Sequence, residues 1–220
     1  MIHIPCEQGS PEWIMARIGI PSASRFDCLL TPKTMKPSGS AATYLHELLA
    51  EWALGCSLDD GAWASGYVER GIDLEDTAVS WYELMQDVTT EPMGFCLDDG
   101  RRYGASPDRG VGSDGLLEVK VPAAKVHIGY MLGDSYWPYR CQVQGQLLVT
   151  GRRWVDLLCY HPTLPPVLTR HEPEPEFQEA LRDVLAGFCA QIEAGKKRLL
   201  KMGIVPELHE AEPIALPVKE

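Results

Sequence analysis

The sequence predicts a mixed α/β fold in which a central sheet is flanked by helices. Three observations lead there. Helical apolar periodicity fills much of residues 10–86, three short extended runs crowd into residues 93–122, and a helix, a strand and a long amphipathic helix follow. The 220 residues suffice for one sizeable core. Apolar residues make up 45% and charged residues 23%, both ordinary for a globular protein. No stretch approaches the roughly 20 uncharged apolar residues that span a bilayer. The start, MIHIPCEQGSPEW, lacks the basic-then-apolar pattern of a signal peptide. A cytoplasmic protein without membrane association is expected.

The elements follow in order. In SPEWIMARIG, Ser10 suits an N-cap, Pro11 the first turn, Glu12 the helix dipole and Gly19 the end. SASRFDCLL begins a second helical stretch behind another serine, and TPKTMKPSGS is a polar, exposed loop. AATYLHELLAEWALG carries an apolar stripe at Tyr44, Leu45, Leu48, Leu49 and Trp52, closed by Gly55. GIDLEDTAVSWYELM turns Leu74, Ala78, Trp81, Tyr82 and Met85 inward, with Glu75 bordering that face. Strands are expected near MGFCL, RRYGASP and GLLEVKV, with a hairpin at Asp98-Asp99-Gly100. YRCQVQGQLLVT reads as a helix, RRWVDLLCY as a fourth strand, HPTLPPVL as a Pro-rich crossing, and Glu174 to Met202 as an amphipathic helix. Residues 1–220 form a single domain on this reading: a helical part over 1–57, a core over 71–160 and a C-terminal helix over 172–203. Trp13, Trp52, Trp81 and Trp154 are expected in the core, and His127, His161 and His171 at the surface or in turns. Seven scattered cysteines without a C-x-x-C pair read as small buried hydrophobes.

Charge is distributed unevenly. The formal net charge of −11 argues against a simple nucleic-acid coat protein. Residues 58–100 carry eleven acids against Arg70, whereas residues 101–170 carry nine Lys/Arg against five acids. A local cationic face remains compatible with a polyanionic substrate.

That cationic segment contains SPDRGVGSDGLLEVK, residues 106–120. In a strand, residues i and i+2 share a face, so Glu118 and Lys120 project together while Val119 turns away. If the preceding segment runs alongside, Asp108 comes close to Glu118. Two adjacent carboxylates repel, and a hard divalent cation resolves the conflict. Oxygen-only ligation suits Mg²⁺ or Mn²⁺, with the Val119 carbonyl as a further ligand. Lys120 then holds a water or offsets charge on a phosphoryl group. These residues alone fit a solvated hairpin with a surface Glu–Lys pair equally well.

The surrounding blocks favour the first reading. QGSPEW at 8–13 with Arg17, Gly19 and SAS at 22–24, GIDLED at 71–76, GASPD and DGLLEVKVP between 104 and 122, and YRCQVQGQLLVT at 139–150 occur in order. Together they resemble the phage lambda exonuclease family, also called the YqaJ-like viral recombinase family, over roughly residues 8 to 160. The family belongs to the PD-(D/E)xK nucleases with a restriction-endonuclease-like fold. The resemblance implies a Mg²⁺-dependent 5′→3′ exonuclease that digests one strand of linear double-stranded DNA and leaves 3′ overhangs for phage-type recombination. It also implies a single-strand annealing protein as partner and a homotrimeric ring. By their place in the motifs, Asp108 and Glu118 resemble metal ligands, Lys120 the catalytic lysine and Glu75 the helical acid that completes the site. Gln142 resembles the family's glutamine near the scissile bond, with Tyr139 close to DNA; the spacing leaves open whether Gln142 or Gln144 faces the site. Arg17, Ser22, Ser24 and Lys33 fall in blocks that resemble a 5′-phosphate pocket, and Val68 is a candidate wedge at the terminal base pair. One departure stands out: Arg109 follows Asp108 where the family tends to carry glycine, so Gly110 and Gly112 are expected to make the turn. Other PD-(D/E)xK enzymes, an endonuclease or a structure-specific resolvase, and a non-catalytic DNA-binding module are the rival readings.

Overall fold

The computed structural model describes residues 1–58, 66–134 and 136–206, and for residues 66–73 the backbone alone. Its core is a five-stranded mixed sheet in the order β2-β5-β6-β7-β8, made by Thr90–Pro92, Arg109–Val111, Gly115–Lys120, Trp154–His161 and Leu164–His171. A smaller antiparallel sheet joins β1 (Ile2–Ile4), β3 (Phe95–Leu97) and β4 (Gly104–Ala105). The helices are α1 (Pro11–Arg17), α2 (Ala41–Leu54), α3 (Gly66–Gln86), α4 (Ala124–Met131), α5 (Arg140–Thr150) and α6 (Pro175–Lys201).

The sheet is buried on both faces because β6 and β7 are apolar in both registers. Leu117, Val119 and Leu158 pack with Ala78, Val79 and Tyr82 of α3. Leu116 and Val155 join the larger core with Val143 and Leu147 of α5 and Phe177, Leu181 and Leu185 of α6. Burying two faces of a sheet under helices is the layered solution expected for such a pattern. β6 and β7 run parallel with α4 and α5 as the crossover, while every other pair is antiparallel.

Several expectations need correction. HPTLPPVL is not a crossing but most of β8, and the sheet extends past residue 160. β8 is an edge strand, and Pro165 and Pro166 fall in the irregular stretch of its pairing between Cys159 and His161, where a ladder donor is dispensable. SASRFDCLL forms a 3₁₀ helix over Ala23–Cys28. Asp108 does not end a strand; it precedes β5, which pairs back on β6 as a hairpin. Gly110 lies within β5, and the turn is made by Gly112, Ser113 and Asp114, with Gly112 at φ +53°. His127 is buried, its Nε2 2.9 Å from the Pro165 carbonyl oxygen. Of the four tryptophans expected in the core, Trp13 is buried, whereas Trp52, Trp81 and Trp154 are half-buried. Met85 is exposed, since the inner stripe of α3 ends at Tyr82. Cys56 is exposed, while Cys96, Cys141, Cys159 and Cys189 are buried as expected.

Candidate active site

The period of the strand sets the site. Glu118 and Lys120 lie on the Leu116 face of β6, toward α5, and the Lys120 ammonium donates to Glu118 Oε1 at 2.5 Å. Glu118 is 1% exposed, so its charge requires donors. It receives three: Lys120, Gln142 Nε2 at 2.5 Å on Oε1, and Gln146 Nε2 at 2.5 Å on Oε2. Gln142 and Gln146 are one helical turn apart on α5 and therefore share a face. Gln142 thus faces the site and Gln144 does not. Gln144 is buried on the other side, where its amide holds the Glu172 carbonyl and its oxygen accepts from Glu174 N.

Asp108 stands where β5 begins, beside the end of the β5–β6 ladder. Its Oδ2 accepts from Val119 N at 2.6 Å. A strand residue's N–H and C=O point to the same side, so the Val119 carbonyl projects toward Asp108 just beyond the last ladder pair, Arg109 with Leu117. Burial pushes the Asp108 carboxyl well above the usual range, and Glu118 pushes it further. Glu75, half-buried on α3, is also raised by burial, against the pull of Arg109. Burial alone would lower Lys120, but Glu118 and Asp108 outweigh it and hold the ammonium charged. The Tyr139 ring lies 5.4 Å from Lys120 Nζ.

Glu75, Asp108, Val119 and Lys120 line one cleft of about 1900 Å³, which Arg17, Ser22 and Arg25 also line. The Arg17 guanidinium lies 3.8 Å over the Trp13 ring and donates to Ser22 Oγ at 3.3 Å. Ser22 Oγ is 3.1 Å from Ser24 Oγ, and Ser22 N donates to Tyr44 Oη. Lys33 is exposed and does not line the cleft. Val68 lies outside the described residues, in the part of α3 given as backbone alone.

Contacts across the chain lock this arrangement. Gly145 lets the 3₁₀ helix press on α5; a Cβ there would meet the Phe26 ring at 2.6 Å. Gln8 Nε2 donates to the Pro107 carbonyl at 2.8 Å and the Met93 carbonyl at 2.9 Å, and Trp13 Nε1 donates to Ser106 Oγ at 2.8 Å. Gln8, Arg25 and Gln146 were not singled out in the sequence. Only Gln146 carries a local signal, its four-residue spacing from Gln142.

The donors fit a hard divalent cation. Glu75, Asp108 and Glu118 offer oxygen only, and three carboxylates face one ammonium. Among the described residues no three His, Cys, Asp or Glu side chains cluster tightly enough to ligate an ion unaided. Two carboxylates, a carbonyl and retained waters match the habit of Mg²⁺.

The model of the YqaJ-like viral recombinase domain matches residues 12–153. The chain belongs to this family. Its fold resembles that of an alkaline exonuclease from Laribacter hongkongensis, at 28% identity and a TM-score of 0.78, covering 88% of this chain and 98% of that one. The same enzyme in complex with dAMP gives a TM-score of 0.77 over the same shares at 28% identity. A phage-related exonuclease from Haemophilus somnus 129PT, at 12% identity and a TM-score of 0.64 over 83% of this chain and 96% of that one, shares the fold. No curated protein sequence matches. The restriction-endonuclease-like fold expected from the motifs is therefore present. Among the described residues no helix is long and apolar enough to cross a membrane.

Proposed function

We propose that this nuclease is a Mg²⁺-dependent 5′→3′ exonuclease that digests one strand of linear duplex DNA and leaves 3′ single-stranded overhangs. The observation that carries the reading is the meeting of Asp108 and Lys120, the latter held by buried Glu118, at one cleft with the Arg17–Ser22 pair. Asp108, Glu118 and the Val119 carbonyl hold the metal, Mg²⁺ or Mn²⁺, and Glu75 completes its surroundings. Held by these residues, a divalent cation would supply activation of water and neutralisation of charge on the scissile phosphate.

The chain's own groups do the rest. Lys120 Nζ, fixed between Glu118 and the Tyr139 ring, presents a proton donor and a positive charge to the phosphoryl oxygens. Gln142 and Gln146 fix both Glu118 oxygens, so the carboxylate cannot swing away when Lys120 turns to substrate. Arg17, with Ser22, Ser24 and Arg25, grips the 5′-terminal phosphate, since a guanidinium fork matches phosphate oxygens. Tyr139 contacts DNA, and Val68 acts as the wedge. We assign no role to Lys33. The product overhang passes to a single-strand annealing protein in phage-type recombination in the cytoplasm, and the enzyme works as a homotrimer, which a solution mass of three chains would support.

The test is digestion of linear duplex labelled at each 5′ end, beside covalently closed circles, with wild type and Lys120→Ala. Release of 5′-terminal mononucleotides from linear DNA only, lost in the variant, is expected. Nicking of circles would replace this reading with the endonuclease one.

A further inference from the structure

Arg109 occupies the place next to Asp108 where the family resemblance leads one to expect glycine, and it lines the same cleft. Its side chain is 20% exposed, yet its ion-pair partner, Asp76, is 87% exposed on α3. A largely desolvated guanidinium is thus held by a carboxylate that water already serves well. Its hydrogen bonding is also incomplete. Nη2 donates to Asp76 Oδ1 at 3.1 Å, while Nε is buried and has no hydrogen-bond partner among the described residues. An unfilled buried donor is costly enough that native structures usually have a reason for it.

Other arginines of this chain show what the same edge does when filled. Arg170 places Nε on Asp156 Oδ1 and Nη2 on Oδ2, both at 2.8 Å. Arg102 places Nε and Nη2 on Asp98 Oδ2 at 3.0 and 2.9 Å. Arg140 grips Glu174 with the same two nitrogens. The Nε–Nη2 edge is the side of the guanidinium that takes two oxygens of one anion. Arg109 uses half of it.

We propose that Arg109 is a second DNA-phosphate-binding residue of this chain, exchanging Asp76 for two oxygens of a backbone phosphate that flanks the metal-binding carboxylates. The inference rests on the nuclease reading above. Asp76 is the placeholder: it keeps the guanidinium oriented in the free protein and, being solvated, gives it up at little cost. A backbone phosphodiester is the anion that fits, because it carries one charge, offers two unesterified oxygens and is delivered by the substrate of the neighbouring carboxylates. Arg109 therefore acts on substrate retention, separately from the grip of Arg17 on the strand end.

The experiment measures binding of a 5′-phosphorylated duplex by fluorescence anisotropy in EDTA from 50 to 200 mM KCl, with melting temperatures recorded for each variant. Loss of one phosphate contact reduces the slope of log Kd against log[KCl] by about 0.9. Arg109→Gln should show that reduction and bind about tenfold more weakly at the lower salt. Arg109→Lys keeps the charge but not the fork, so it should keep the slope and still weaken binding several-fold. Asp76→Asn should bind at least as tightly as wild type, with an undiminished slope. Folded Arg109→Gln with wild-type Kd and slope overturns the proposal. If that variant does not fold, Arg109→Lys with wild-type Kd overturns it instead. Wild-type protein that neither binds this duplex nor digests it with Mg²⁺ would sink the nuclease reading itself, a result distinct from an Arg109 effect absent in an active enzyme.

Discussion

Two acidic centres lie on neighbouring strands of this sheet, and they are built to opposite ends. On β7, Asp156 is 2% exposed and completely served: Arg170 takes both its oxygens and Tyr82 Oη donates to Oδ2 at 2.7 Å. One negative charge meets one positive charge, and a phenol fills the remaining lone pair. Just ahead of β5 and on β6, Asp108 and Glu118, with Glu75 nearby, face the ammonium of Lys120, and Asp108 has the Val119 amide as its hydrogen-bond donor. Burial of a carboxylate therefore does not distinguish a working site from a structural one in this protein. Charge balance does. The first centre is neutral as a pair, whereas the second, with its carboxylates ionised, is left with about two negative charges, which a divalent cation would balance.

Removing Lys120 tests the second centre where the effect should be largest. Lys120→Ala should lower kcat by about 10³-fold, the scale of losing one positioned electrostatic partner of a transition state, while the protein still melts cooperatively. An active Lys120→Ala enzyme would mean that the balance has been misread. Asp156→Ala is the reciprocal change. It leaves half-exposed Arg170 to water but strands the Tyr82 hydroxyl, and should cost about 2 kcal/mol of stability, the scale of an unsatisfied buried donor. Chemical denaturation checks this, and activity per folded molecule should hold. Equal losses of activity and stability in both variants would erase the distinction.

Metal addition sharpens it further. Mg²⁺ at a hundredfold above its dissociation constant should stabilise the native state by about 2.7 kcal/mol, and Asp108→Asn should abolish that gain while Asp156→Ala keeps it. The pH dependence follows from Asp108, whose folded pKa is raised by burial and by Glu118. A raised carboxyl favours the folded state when protonated. Its contribution is full below the unfolded value of about 3.9 and is lost as pH rises through the folded value. Metal binding needs the ionised form, so Mg²⁺ affinity should climb over the same interval as the metal-free protein loses stability. Thermal melts with and without Mg²⁺ across that range read both, and a metal affinity independent of pH there would contradict the raised Asp108.

How much of this was legible depends on the range of the interaction. Glu118 and Lys120 declare themselves because a strand repeats every two residues, and Gln142 with Gln146 because a helix turns every 3.6. The fold class was legible for the same reason, through the two-sided apolar runs of β6 and β7. β1, β2 and β5, three residues each, show no period or apolar run, whereas β3, equally short, is betrayed by its apolar run, and the prolines disguise β8. Burial of His127 depends on Pro165, 38 residues away, which no local pattern encodes. The residues proposed to meet the 5′-phosphate divide likewise: Arg17 lies in a recognisable block, whereas Arg25 joins the cleft only because the 3₁₀ helix packs on Gly145.

Gln8 carries the smallest effect and the finest version of the comparison. Asp156 needs no outside support, since its partners lie on β8 and α3, elements packed directly on β7. Asp108 lies just ahead of a three-residue strand, and what steadies the segment leading to it comes from the N-terminal arm: Gln8 on the Pro107 and Met93 carbonyls, and Trp13 on Ser106. An under-neutralised carboxylate resists being held beside Glu118, so a loose approach would let Asp108 swing away whenever metal leaves. Gln8→Ala should cost about 1 kcal/mol of stability, the net worth of an ordinary hydrogen bond. It should also raise the Mg²⁺ concentration needed for half-maximal activity several-fold, with the rate recovered at saturating metal. A variant that loses only stability, with an unchanged Mg²⁺ requirement, would show that β5 holds Asp108 without the arm.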